Sequence, residues 1–156
     1  MHDKPVFLTP EFRAKLEAEL DNLQDVVRPQ VADRIRAAKE FSDTVDNAEF
    51  DEAKNEQSFV EGRILTLEKM LANCVIIDSN NPTHDLVRLG SHVTVVNQDG
   101  EHESFLIVGS AEANLRESKI SNESPVGRAL MGRRIGERVE VAAPGGTMTF
   151  SVVSIA

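Results

Sequence analysis

At 156 residues the chain has room for one ordinary domain or two small units with separate cores, and its 40% apolar content, with Phe but no Trp or Tyr, suits modest cores. A net charge of −9 argues against an unaided, sequence-independent duplex binder, which lives on phosphate neutralisation. No apolar run approaches a membrane span, since Val75-Ile76-Ile77 ends at Asp78, and no charged segment followed by an apolar one opens the chain, so neither a membrane nor export is expected.

The acidity is uneven. Residues 1–78 carry a net −7 and residues 79–156 a net −2, so any nucleic-acid contact must be local or borrowed from a partner. A lone Cys74 cannot form an internal disulfide, fits a reducing cytoplasm, and reads as a small buried apolar group. His2, His84, His92 and His102 show no metal-ligand spacing and are taken as surface or turn residues.

The first half has a helical period. Thr9-Pro10-Glu11 combines a capping Thr, a first-turn Pro and an early acid. Apolar positions then recur three or four apart at Phe12, Leu16, Leu20, Leu23, Val27, Val31, Ile35 and Ala38. Pro29 should bend this helix or loosen a turn. After a polar break from Ser42 to Asn47 the pattern resumes at Phe50, Ala53, Gln57, Val60, Ile64, Leu67, Leu71 and Cys74, with the alternating spacing of a coiled-coil seam. Two seams joined by a short polar turn should fold back as an antiparallel pair. A helix of roughly 33 residues at about 1.5 Å each reaches about 50 Å.

Past a polar, Pro-containing linker near Ser79-Asn80-Asn81-Pro82-Thr83 the period changes. His92 to Val96 and Ser104 to Val108 read as strands joined by the turn Asn97-Gln98-Asp99-Gly100. Ser124-Pro125 offers a cap and first-turn Pro for a short helix through Leu130, ended by Gly132. Val139 to Val141, the turn Ala143-Pro144-Gly145-Gly146, and Met148 to Ile155 form a closing hairpin. The class is α+β, with an antiparallel sheet in the second half.

The tip between the helices carries Asp43 and Asp46, three residues apart. Asp beside a helix start is a favoured cap, which is one reading of the pair. The other is that both carboxylates supply oxygen ligands to a Mg²⁺ completed by a partner, because two acids alone make a poor site. Lys39, about one turn before the first acid, and Lys54, about two turns after the second, could form a basic spot suited to RNA, or be ordinary solvated charge.

Several stretches carry a resemblance: VFLTPEFRAKLEAELDNL, RPQVADRIRAAKE, DNAEFDEAKNEQSFVEGRI, ISNESPVGRALMG and APGGTMTFSVV. Over nearly its full length the chain resembles the Gre (GreA/GreB) family of bacterial transcript-cleavage factors. The resemblance implies an antiparallel coiled-coil hairpin over 1–78, a linker over 79–83, and an FKBP-like antiparallel-sheet domain over 84–156. It implies a cytoplasmic monomer, not itself an enzyme, that docks at the rim of the RNA polymerase secondary channel. There the coiled coil enters and stimulates the polymerase's own cleavage of backtracked nascent RNA.

Carried over by position, the two tip acids match Asp43 and Asp46, which would share a Mg²⁺ in the polymerase active site and hold none in the free protein. The tip-proximal basic positions match Lys39 and Lys54 as RNA contacts, and the docking loop matches Glu123-Ser124-Pro125. Against the family string GDLKENAEY, this chain has Ser42, Thr44, Val45, Asp46 and Phe50 for Gly, Leu, Lys, Glu and Tyr. One acid is therefore a methylene shorter and one tip cation is gone. A channel-occupying inhibitor of polymerase without cleavage activity is the alternative within the family. Prolyl isomerase activity, which needs an aromatic-lined pocket, is disfavoured because the second half offers only Phe105 and Phe150.

Overall fold

The computed structural model describes residues 4–41, 47–78 and 85–156. Two compact units emerge: Arg13–Asn73, and a second that joins Met1–Phe12 to Cys74–Ala156.

The unit Arg13–Asn73 is a helical hairpin. Its ascending limb is α1 (Pro10–Asn22), a π turn (Leu23–Val27) and α2 (Arg28–Phe41), and its descending limb is α3 (Ala48–Ala72). The start of α1 follows the expected signals: Phe12 N–H donates to Thr9 Oγ1 at 3.2 Å, and Pro10 opens the helix. Pro29 accounts for the π turn. It has no N–H to donate and its ring crowds the carbonyl four residues back, so the regular ladder cannot run through it. Arg28 N–H reaches Leu23 O instead, five residues back.

The seam residues from Leu16 to Ala38 and from Phe50 to Leu71 are all buried or half-buried, as their spacing predicts. Val31, Val60 and Ile64 form the centre of this core, with Leu20, Leu23, Val27 and Ile35 packed around them. Full burial of each such side chain is worth about 1.5–3 kcal/mol. Ala38 and Ala53 continue the buried seam toward the tip with little side-chain bulk. Cross-limb pairs set the antiparallel register: Arg63 holds Glu19 through two bonds of 2.7 and 3.0 Å, Arg28 holds Glu61 through two of 2.8 Å, and Arg34 pairs with Glu56.

In the other unit, β1 (Val6–Leu8) pairs in parallel with β2 (Cys74–Ile76). Cys74, placed by its spacing at the end of the helical seam, opens β2 instead and is half-buried. The helix stops at Asn73, and Val75-Ile76-Ile77 is β-branched and suits extended backbone.

The main sheet comprises β3 (His92–Asn97), β4 (His102–Val108), β5 (Lys119–Ser121), β6 (Arg138–Ala143) and β7 (Gly146–Ile155), in the order β5-β4-β3-β7-β6. It is antiparallel except for β5, a three-residue strand that the sequence pattern does not mark and that pairs in parallel with β4. The turn after β3 forms as expected: Asn97 Oδ1 accepts from Asp99 N–H and Glu101 N–H at 2.9 and 3.0 Å, and Gly100 sits at φ 80°. Helix α4 (Pro125–Leu130) covers the sheet with Leu130, packed among Val87, Val93, Val95, Ile107 and Val152.

A carboxylate lies inside this unit. Glu112, 3% exposed, accepts from Thr9 N–H (Oε1, 2.9 Å) and from the Thr9 hydroxyl (Oε2, 2.7 Å), with Lys119 Nζ 3.6 Å from Oε2. A carboxylate is expensive to bury without such partners. Thr9 therefore serves twice, capping α1 and tying the N-terminal segment to the turn that follows β4.

Candidate functional site

Asp43 and Asp46 lie outside the described residues, as does the linker 79–83. Their flanks are defined. Asn47 is the N-cap of α3: its Oδ1 accepts from Phe50 N–H at 3.1 Å, and its Nδ2 donates to Ala38 O at 2.8 Å. One side chain thus closes the start of the descending helix and bonds the last turn of the ascending one. The cap of α3 that the sequence offered to Asp46 is filled by Asn47. The donor set also fits the expected cation, since two carboxylates are hard oxygen ligands that leave most of a Mg²⁺ shell to other groups.

Lys39, in the last turn of α2, and Lys54, on α3, are both exposed. Lys54 Nζ donates to Gln57 Oε1 at 3.0 Å. Among the described residues, neither joins the cross-limb ion pairs, which engage Arg28, Arg34 and Arg63. Hydrogen bonding from Arg63 holds the Glu19 carboxyl below the usual carboxylate range, and Arg28 does the same for Glu61.

The loop Glu123-Ser124-Pro125, expected from the resemblance to dock, is built on Ser121 and Ser124. Ser124 Oγ accepts from Gly127 N–H at 3.1 Å and donates to Ser121 O at 2.7 Å, so it caps α4 and ties the loop to β5 in one geometry. Pro125 follows at the first helical position and is exposed, as is Glu123. Gly127 is required by contact: a Cβ there would fall 1.9 Å from Ser121 O. Beside this loop lies an apolar groove of about 450 Å³ whose lining includes Leu115, Ile120, Val126, Val141, Pro144 and Met148. No aromatic residue lines it; Phe150 is buried in the core and Phe105 packs against it. The groove therefore lacks what a prolyl isomerase pocket needs.

Sequence reasoning missed Asn47 and Glu112. Asp46 and Asn47 are both good caps, and only the helix register decides between them. Glu112 meets a residue 103 positions away, which no local pattern marks.

Residues 6–76 match the family "Transcription elongation factor, N-terminal", and residues 82–156 match "Transcription elongation factor, GreA/GreB, C-term". The chain belongs to the GreA/GreB family. It is 48% identical over 157 residues to Transcription elongation factor GreA of Roseiflexus castenholzii, covering 99% of each chain. It is 49% identical to Transcription elongation factor GreA of Acetivibrio thermocellus, covering 98% of this chain and 97% of that one. Among solved structures it is similar to GreA factor homolog 1 (Gfh1) of Thermus thermophilus, at 31% identity and a TM-score of 0.45 over 98% and 99% of the two chains. Both halves of this GreA/GreB-family transcription elongation factor are thus accounted for, the tip flanks on one matched segment and the loop Glu123-Ser124-Pro125 on the other.

Proposed function

We propose that this elongation factor binds RNA polymerase at its secondary channel and stimulates the polymerase's intrinsic cleavage of backtracked nascent RNA, rescuing arrested complexes. The chain breaks no bond itself. The unit carrying Glu123-Ser124-Pro125 docks at the channel rim, and the hairpin brings Asp43 and Asp46 to the active site. There the two carboxylates would complete the coordination of a Mg²⁺ held mainly by polymerase, and the ion's chemistry is activation of water for attack on a phosphodiester. Lys39 and Lys54 steer the displaced RNA strand by charge. Asn47 holds the two limbs together beside the acids.

The observation that carries this reading is the cap. With the N-cap of α3 filled by Asn47, this reading assigns the carboxylate of Asp46 to chemistry rather than to starting the helix. The protein acts as a cytoplasmic monomer in this account and brings no metal of its own. Adding it with Mg²⁺ to a backtracked elongation complex should shorten the RNA from its 3′ end. Slowed transcription without shortened RNA would instead mark a channel-occupying inhibitor, the alternative that the altered residues Val45 and Asp46 leave open.

A further inference from the structure

We infer that Ser110 and Ser121 are positioning residues for polymerase docking, because they close a ring of hydrogen bonds that fixes the Glu123 carboxylate for a cationic side chain of the polymerase. The inference rests on the docking role proposed for Glu123-Ser124-Pro125. It goes further by assigning what orients the acid and the chemistry of the group it meets.

Three distances define the ring. Glu123 N–H donates to Ser121 Oγ at 3.0 Å, Ser110 Oγ lies 2.7 Å from Ser121 Oγ, and Ser110 Oγ lies 3.0 Å from Glu123 Oε2. The direction of every link follows from proton counting. An ionised carboxylate only accepts, so the single Ser110 proton goes to Glu123. The proton between the two serines must then come from Ser121, whose oxygen in turn accepts from the Glu123 backbone. The ring runs from the Glu123 amide through Ser121 and Ser110 back to the Glu123 side chain. Each hydroxyl both accepts and donates, so neighbouring links polarise one another.

The ring sits on firm ground. Ser121 is buried at the end of β5, pairs with Val108 in the sheet, and its carbonyl also accepts from Ser124 N–H at 3.1 Å and Ser124 Oγ at 2.7 Å. An exposed Glu ordinarily samples many rotamers and loses that freedom on binding. Here Oε2 is already held, and Oε1 accepts no hydrogen bond from a described residue. A preorganised, exposed carboxylate beside Pro125 suits an Arg or Lys on the partner.

The test is competition with the labelled parent for RNA polymerase at low and moderate salt, using Ser110→Ala, Ser110→Thr, Glu123→Gln, Pro125→Ala and the double Ser110→Ala/Glu123→Gln. Ser110 is exposed, so thermal unfolding of Ser110→Ala should overlay the parent. Glu123→Gln and Ser110→Ala should each weaken binding by about three- to tenfold. Ser110→Thr, which keeps the hydroxyl, should bind as the parent does. The double variant should be no weaker than Glu123→Gln, because the serine acts only through the acid. The advantage of the parent over Glu123→Gln should shrink as salt rises. If Glu123→Gln and Pro125→Ala weaken binding but Ser110→Ala does not, or if the two losses add, the positioning role is wrong and the docking site stands. If neither Glu123→Gln nor Pro125→Ala weakens binding, the docking assignment fails and this inference fails with it.

Discussion

Replacing Asn47 separates two jobs that one side chain performs at the hairpin's end. Its Oδ1 caps α3 at Phe50 N–H, and its Nδ2 reaches Ala38 O on the other limb. Asn47→Ala removes both. Loss of an N-cap costs about 1 kcal/mol, and loss of a net hydrogen bond costs about another 1 kcal/mol. The total of about 2 kcal/mol corresponds to roughly a 30-fold rise in local opening at the end of the hairpin. Asn47→Asp keeps the cap, since Asp caps about as well as Asn, but turns the donor facing Ala38 O into a second acceptor. That variant should lose about 1 kcal/mol and retain most of the protection at the Phe50 amide. Amide hydrogen exchange reads both effects: the Phe50 N–H should exchange roughly 30-fold faster in the Ala variant and only about fivefold faster in the Asp variant. Cleavage stimulation should fall in both, while competition for polymerase should be unchanged because the proposed docking residues Glu123-Ser124-Pro125 lie in the other unit. A Phe50 amide as protected in Asn47→Ala as in the parent would refute the reasoning.

Two further outcomes follow from buried and paired charges. Glu112→Ala leaves the Thr9 amide and hydroxyl without their acceptors, so thermal unfolding should show a loss of about 3 kcal/mol; a loss below about 1 kcal/mol would show that the pair is not a structural tie. The carboxyl of Glu19, held below the usual range mainly by its hydrogen bond from Arg63, contributes stability that is present above its unfolded pKa and is lost as pH falls through its folded value. Both side chains are more than a third exposed, so the contribution is only a few tenths of a kcal/mol after screening. Helicity of Arg63→Gln, followed by circular dichroism, should therefore be slightly less stable than the parent at neutral pH, with the difference closing in acid and in high salt. A difference that grows in acid would reverse the assignment.

Periodicity made the helical half legible, down to the interruption at Pro29. The seam residues from Leu16 to Ala38 and from Phe50 to Leu71 lie away from solvent because a spacing of three and four places them on one face. The turn at Asn97-Gly100 and the cap at Ser124 were equally local and equally readable. What local pattern could not supply was pairing at a distance. The strand Lys119–Ser121 is three residues long and owes its place to β4, and Cys74–Ile76 is a strand because β1 lies beside it. Glu112 looks like any surface acid until Thr9 meets it. The same limit applies at the proposed docking loop, where the motif marks Glu123-Ser124-Pro125 but Ser110, which bonds the Glu123 carboxylate, comes from the turn after β4. At the tip, the resemblance singled out Asp43 and Asp46, and the structure supplies their neighbour Asn47 as the cap.

The central claim is tested most directly by RNA cleavage in a backtracked elongation complex with Mg²⁺, comparing the parent with the double variant Asp43→Asn/Asp46→Asn. Asn keeps the size of each side chain while removing the charge a metal needs. With α3 capped by Asn47, the fold and the competition for polymerase should be preserved. Cleavage should fall by orders of magnitude, since metal-assisted activation of water supplies several kcal/mol of the barrier reduction. RNA shortened by the double variant as fast as by the parent would contradict the account.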